Sequence, residues 1–367
     1  MTQTLPRCWA EIDCSALRHN ARLIREKLGE QMKILAVVKA NAYGHGLTVC
    51  AQALADHVDF FGVANLEEAT LLRTAVPHPL MILGPALPGE RPAIVEGGFI
   101  PSISSWEEAE HFNRLASSGK VAVNFKIDTG MGRMGVVESE AIALFKKISA
   151  MPNIDVHSVS THLPVSNEDA TFTREQLRTF GSVVKQLRAH VPGDYKVHAL
   201  QTAGILAFAQ EPFEIVRPGI LLYGIAPLPE FQAELRPAMT WKARIVLIRE
   251  MPAGHGISYG RTFITPRTMR VATLSAGYAD GYPRHLSNRG ASVLVRGQRC
   301  PLLGRVTMDL MMIDVSDVAQ LELGDEVVLM GRQGKEEITC SELAELAGTI
   351  TWEITTRLGA RVRRVYL

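Results

Sequence analysis

The sequence predicts an α/β protein, a (β/α)8 barrel over residues 1–235 followed by a mainly-β domain over residues 236–367. Three observations lead there. Short apolar runs alternate with helical stretches about eight times in roughly the first 225 residues, which is the rhythm of a closed parallel barrel. Helical periodicity stops near residues 230–237, and β-rich runs divided by turn formers take over. The length, 367 residues, also exceeds the usual single domain.

Residues 15–28 place Leu17, Ala21, Ile24 and Leu28 at helical spacing, ahead of the first strand. That strand, residues 34–38 (ILAVV), is apolar throughout, so both of its faces are expected to be buried. The later strands are read at 60–64, 80–83, 99–103, 121–127, 156–161, 196–200 and 214–217. Helices are read between them at 47–55, 66–75, 91–96, 106–116 (capped by Ser104 or Ser105), 138–148 and 173–190, with a helix start at Ala203. In the second domain the runs TWKARIVLI, MRVATL, ASVLVRG, MMIDV, EVVLMG and ARVRRVYL read as strands, with one helix at 341–347.

Composition narrows the function. Basic and acidic residues number 39 and 38, so the chain has no field for nucleic acid or an anionic membrane. No apolar run reaches membrane-spanning length, and residues 1–13 lack a signal-peptide pattern, so the cytoplasm is expected. Cys8, Cys14, Cys50, Cys300 and Cys340 are scattered without CxxC spacing or histidine company, which argues for reduced thiols and no metal site.

In a barrel of this kind the working residues stand at the C-terminal ends of the strands. Lys39 ends the first, where loss of hydration favours the neutral, nucleophilic amine. Tyr43 and two glycines follow it. The loop 130–135 fits GxGxxG but lacks the acidic residue a ribose needs at the next strand end, so Arg133 reads instead as a carboxylate clamp. Lys126 and Asp128 feed that loop and either orient it or form a structural ion pair. His162 ends the sixth strand. Thr202 opens a helix, and its hydroxyl with the backbone amides beyond it suggests an anion site. Arg217, Gly219 and Ile220 form a further turn, while Tyr259, Tyr278, Met308 and Asp309 lie on β-domain loops.

The motifs VVKANAYGHG, KIDTGMGRMG, RPGILLYG, ISYGRTF, AGYADGYPR and GRVTMD, in this order, resemble those of the pyridoxal 5′-phosphate-dependent alanine racemases. The resemblance implies a TIM-type barrel, a C-terminal β domain, and a homodimer in which each β domain contributes to the other copy's active site. It implies that Lys39 holds the cofactor covalently and acts as one base, with Tyr259 of the second copy as the other. Tyr43, Thr202, Trp352 and the Gly219 and Ile220 amides would hold phosphate. Arg217 would face the pyridine nitrogen with His162 beside it. Arg133 and the Met308 amide would bind the substrate carboxylate, supported by Lys126 in a position often carbamylated, and by Asp309 and Tyr278. The implied role is to supply D-alanine for peptidoglycan or to degrade it.

Three positions depart from the family pattern. Thr202 replaces a serine, the segment 163–169 (LPVSNED) is atypical, and Trp352 stands where a tyrosine is usual. Three other readings stand beside alanine racemisation: a racemase of another small amino acid such as serine, a non-catalytic pyridoxal phosphate carrier, and a fold-related decarboxylase, which Arg217 argues against because it stands where an acidic partner would protonate the ring.

Overall fold

A computed structural model describes residues 6–116 and 119–367. The expectation drawn from the extreme N-terminus rests partly on residues 1–5, which lie outside the described residues. Two compact units emerge, one of residues 17–42 and 47–236, the other of residues up to Ala16, 43–46 and 237–367.

The first unit is a barrel of eight parallel strands: Lys33–Val37, Phe60–Val63, Leu80–Ile82, Ile100–Ile103, Val121–Asp128, Ile154–Ser160, Lys196–His198 and Ile215–Val216. The eighth pairs with the first, Ile215 opposite Lys33 and Val216 opposite Ile34. The seam between the seventh and eighth is joined by a bridge from Gln201 to Arg217, so the sheet comes back on itself. Each expected strand is present, most of them shorter at one end. The capped helix is Trp106–Leu115, and Ser105 rather than Ser104 is its cap, accepting from the Glu108 amide.

The fifth strand shows how alternation loads the two faces of the barrel. Phe125 points outward and meets Phe145 of the helix Glu138–Ser149 edge to face at 5.3 Å, and Phe145 meets Tyr195 at 5.2 Å. Such pairs contribute about 0.5–1.5 kcal/mol each beyond the area they bury. Asn124 points the other way, donating to Ser102 Oγ and accepting from Ser158 Oγ, both at 3.0 Å, on the flanking strands. A period of two then puts Lys126 on the same interior face.

The spine of the second unit is the long strand Met239–Met251, which pairs with Met269–Leu274 and Glu326–Gln333. Ser292–Val295, Gln298–Pro301, Met311–Asp314, Glu336–Ile338 and Arg363–Tyr366 complete its main sheets. Sequence reading missed the short strands Gln298–Pro301 and Glu336–Ile338 and, more consequentially, two further elements. The strand Cys8–Ile12, in a segment expected to travel with the barrel, lies between Met239–Met251 and Arg363–Tyr366, antiparallel to one and parallel to the other. Five residues leave too little periodicity to show, and their partners lie more than 200 positions away. A second helix, Thr351–Thr356, follows Cys340–Ala347, too short to register as a helical pattern.

Candidate active site

The segment after the first barrel strand takes an unexpected shape. Ala40, Asn41, Ala42 and Tyr43 all have φ between 53° and 54°, a left-handed turn made without glycine. L-residues resist this conformation by roughly 1–2 kcal/mol each, so the surroundings must over-determine it. The Ala42 amide donates to Val38 O at 2.8 Å, and Asn41 Oδ1 accepts from the Leu47 amide at 2.8 Å, starting the helix Leu47–Leu54. Lys39 opens this turn, half-buried. Burial depresses its pKa first and the Arg133 guanidinium adds to that; Glu68 opposes and Arg217 reinforces. Tyr43 is buried, which raises the pKa of its hydroxyl.

Arg217 sits at the end of the eighth strand, 5% exposed. Its Nη1 donates to His198 Nδ1 at 2.6 Å, and its Nη2 to Thr161 O at 2.7 Å and Ala199 O at 2.9 Å. His162 Nδ1 is 3.5 Å from Nη2, at the limit of a hydrogen bond. The ring that orients this arginine is therefore chiefly His198, which the sequence reading passed over in favour of His162. His198 is the last residue of the three-residue strand Lys196–His198, with no motif around it, and only the sheet register brings it to Arg217. Since its Nδ1 accepts, its proton is on Nε2. Burial, then the Arg217 charge, keep both rings neutral, and His162 is pushed down to about 2. No carboxylate accepts from Arg217 in any of these bonds.

Lys126 is 8% exposed on the interior face, and its pKa is held well down by burial, then by Arg217 and Arg133. It forms no ion pair with Asp128. That carboxylate turns instead to the glycine loop, where Oδ1 accepts from the Gly130 amide at 2.9 Å and the Met131 amide at 2.8 Å. Burial raises the pKa of Asp128, but bonds from the amides of residues 130–133 outweigh it and lower the pKa overall. The loop therefore cradles its own carboxylate, which explains GxGxxG without a nucleotide. Gly135, at φ 120°, allows a Cβ no room, since one would stand 2.6 Å from the Asp128 nitrogen. Arg133 projects from this loop, exposed.

Thr202 Oγ1 accepts from the Gly219 amide at 3.0 Å, joining two of the expected phosphate ligands, and Ile220 begins the next 3₁₀ turn. One expectation changes here. The amides of Ala203 and Gly204 are taken by Gln201 Oε1 at 2.6 and 3.2 Å, so that helix start offers an anion the threonine hydroxyl rather than a row of free amides. Gln201 Nε2 also reaches Ser166 Oγ at 2.7 Å, tying down the atypical segment after His162.

In the β unit, the Tyr278 amide donates to Thr307 O and the Ala279 amide to Met308 O, each at 3.0 Å. Gly277 permits this approach, because a Cβ there would lie 2.3 Å from Met308 O. Arg361 grips Asp280 with two bonds and Asp309 with a third at 2.8 Å. Ser258 Oγ donates to Arg305 O, next to Tyr259. These loops hold up side chains with little cover: Tyr259 is 71% exposed, Met308 53% and Tyr278 40%. Trp352 is half-buried in the helix Thr351–Thr356, where its carbonyl accepts from Thr356 Oγ1 at 2.7 Å.

A barrel carrying a lysine of depressed pKa at one strand mouth and an arginine bonded to no carboxylate at another suits an enzyme of the pyridoxal phosphate class. Comparison with known proteins agrees. A family model described as alanine racemase, N-terminal domain, matches residues 12–227, and one for the C-terminal domain matches residues 238–366. An alanine racemase of Halothermothrix orenii is 42% identical over 98% of this chain and 96% of its own. The alanine racemase of Bacillus anthracis solved with bound L-Ala-P superposes with a TM-score of 0.91 at 33% identity, covering 100% of this chain and 96% of that one. That of Bartonella henselae, with covalently bound pyridoxal phosphate, gives 0.89 at 30% identity over 99% of this chain and all of that one. The chain belongs to the alanine racemase family and is a pyridoxal 5′-phosphate-dependent amino-acid racemase. The alternatives of a serine racemase or a cofactor carrier are not favoured.

Proposed function

We propose that two copies of this chain interconvert L- and D-alanine with two opposed bases, Lys39 of one copy and Tyr259 of the other. The observation that carries the reading is the half-buried Lys39 amine at the first strand's mouth, whose pKa is depressed by burial and then by Arg133, which favours the neutral, nucleophilic form.

The donor set fits pyridoxal phosphate. Lys39 would supply the amine that holds its aldehyde carbon, and Tyr43, Thr202, Trp352 and the Gly219 and Ile220 amides would hold the phosphate. Arg217, a cation whose bonded partners are neutral, would stand by the ring nitrogen and leave it without a proton. When bound, the cofactor acidifies the substrate Cα–H by drawing electron density away from it. Arg217 limits that draw, favouring return of the proton over transamination or loss of CO₂. Arg133 and the Met308 amide of the second copy hold the alanine carboxylate, Lys126 steadies Arg133, and Asp309 and Tyr278 shape the same wall. Lys39 Nζ takes or gives the α-proton on the D side and Tyr259 Oη on the L side, because one base on one face only returns the proton where it was.

Homodimerisation is supported by the β-unit loops. A catalytic tyrosine 71% exposed beside an exposed methionine suits a surface lent to another copy. A division between residues 235 and 236 is supported by family matches that end at 227 and resume at 238, although residues up to Ala16 and 43–46 group with the β unit rather than with the expected first domain. A cytoplasmic setting is supported by five scattered, buried cysteines.

The test separates the bases. Tyr259→Phe is expected to retain covalent cofactor and to exchange the α-proton of D-alanine with deuterated solvent, while conversion between enantiomers falls at least 100-fold, in the range of a lost general acid–base group. After reduction with borohydride, which makes the lysine–cofactor bond permanent, wild type should carry cofactor through denaturing gel filtration and Lys39→Ala should not. Undiminished conversion by Tyr259→Phe refutes the two-base scheme.

A further inference from the structure

We propose that Glu68 is a positioning residue for Lys39: its carboxylate holds the backbone amides of the left-handed turn that begins directly after the lysine. The inference rests on the reading of Lys39 as the amine that holds the cofactor.

Glu68 is the third residue of the helix Leu66–Arg73, whose cap is Asn65, and the Glu68 amide donates to Asn65 Oδ1 at 3.0 Å. Asn-x-x-Glu is a capping-box spacing, in which the glutamate ordinarily turns back to satisfy the start of its own helix. One oxygen does so: Oε2 accepts from the Ala64 amide at 2.9 Å. The other crosses to the neighbouring strand end, where Oε1 accepts from the Ala40 amide at 2.7 Å and from the Asn41 amide at 3.4 Å.

The barrel contains a control for this arrangement two strands on. Ser105 and Glu108 repeat the spacing. Glu108 likewise turns back, Oε2 accepting from the Ser104 amide at 2.6 Å, but no bond from Glu108 reaches a neighbouring strand end among the described residues. The second reach of Glu68 is therefore additional to what a helix start requires. It falls on two of the four consecutive residues with positive φ, directly after Lys39. An amide pointing out of such a turn needs an acceptor, and a charged one binds it more firmly than a neutral one.

The charge matters as well as the bonds. The ionised groups acting on Lys39 come from three elements: Arg133 on the glycine loop, Arg217 at the eighth strand end, and Glu68 on the helix after the second strand. Both arginines push the amine toward its neutral form and the carboxylate alone opposes them. Without Glu68 the amine would lose its proton at lower pH, but from a turn no longer held in place. A glutamine cannot substitute, since it has one acceptor oxygen and must set an NH₂ against an amide on one side.

The experiment follows capture of pyridoxal phosphate by the apoprotein, read as absorbance growth in stopped flow across pH 6–10, in wild type, Glu68→Gln, Glu108→Gln and Lys39→Ala. Glu68→Gln is expected to move the pH midpoint of capture down by about one unit, the scale of a lost neighbouring charge, and to slow the plateau rate about tenfold. Glu108→Gln should keep the wild-type midpoint. A wild-type midpoint in Glu68→Gln, with Lys39→Ala unable to capture, overturns the role of Glu68 and leaves that of Lys39 standing. An equal shift in Glu108→Gln also overturns it, as general loosening of the barrel mouth. Covalent capture by Lys39→Ala removes the reading of Lys39 and the inference with it. Should Glu68→Gln not fold, Glu68→Asp keeps the charge and withdraws the oxygens by one methylene. It should then keep the midpoint and slow capture, and wild-type capture by that variant overturns the proposal.

Discussion

Replacing His198 tests whether Arg217 works as a held group or only as a nearby charge. His198 is fully buried and accepts from Arg217 Nη1 at 2.6 Å, while Nη2 rests on two backbone carbonyls. His198→Leu removes the acceptor and leaves Nη1 facing an apolar side chain in a site where Arg217 is 5% exposed. A hydrogen bond to a charged group contributes about 1.5–3 kcal/mol, and an unsatisfied buried donor forfeits that amount. At about 1.4 kcal/mol per tenfold, the held orientation becomes about 10- to 150-fold less favoured. His198→Asn offers an oxygen close to where Nδ1 stood and should recover most of the loss. The assay is racemisation of L-alanine followed by circular dichroism, with pyruvate release measured in parallel by a coupled dehydrogenase. His198→Leu should lose kcat/KM by about 10- to 150-fold and release more pyruvate per racemisation, because a displaced guanidinium no longer holds the proton off the ring nitrogen. Wild-type kcat/KM and an unchanged pyruvate ratio in His198→Leu would refute the reasoning.

Two further outcomes follow from the same site. The apoprotein should lose stability as pH falls below about 6.5: burial, then the Arg217 charge, hold His162 at about 2 and His198 well below its ordinary 6.5, so the unfolded chain takes up protons that the native state refuses. Each such ring contributes up to about 1.4 kcal/mol per pH unit; urea midpoints between pH 7 and 5 check this, and a flat profile contradicts neutral burial of the pair. Asp128→Ala, which frees the amides of the glycine loop, should raise KM for alanine about tenfold through Arg133 while leaving cofactor absorbance intact, on the scale of one lost charged hydrogen bond; an unchanged KM would detach Arg133 from the substrate carboxylate.

Much of the candidate site was legible before folding because its members stand at ends of apolar runs. Lys39, His162, Thr202 and Arg217 each follow such a run, and barrel geometry collects strand ends at one face. The GxGxxG loop was legible as a false match, and the Asp128 bonds supply the physical reason. His198 and Glu68 were not singled out for different reasons. His198 ends the observed strand Lys196–His198, but the sequence reading ran that strand on to residue 200 and so placed it inside; its meeting with Arg217 also depends on which strands neighbour one another around the barrel. Glu68 did carry a signal, the Asn65-x-x-Glu68 spacing, but that signal speaks only of a helix start; its second bond lies 28 residues back along the chain.

By itself, the sequence determined the alternation that builds the barrel, the change to β texture near residue 237, and the residue types the chemistry needs, since these depend on local periodicity and side-chain identity. The tertiary structure alone decided which ring holds Arg217, that Ala40–Tyr43 turn left-handed, that Cys8–Ile12 joins the β unit, and how far burial and neighbouring charge depress Lys39, Lys126 and His162. The reason is the same in each case. Strand neighbours, desolvation and the summed field of distant charges come from residues tens to hundreds of positions apart, and no window along the chain contains them.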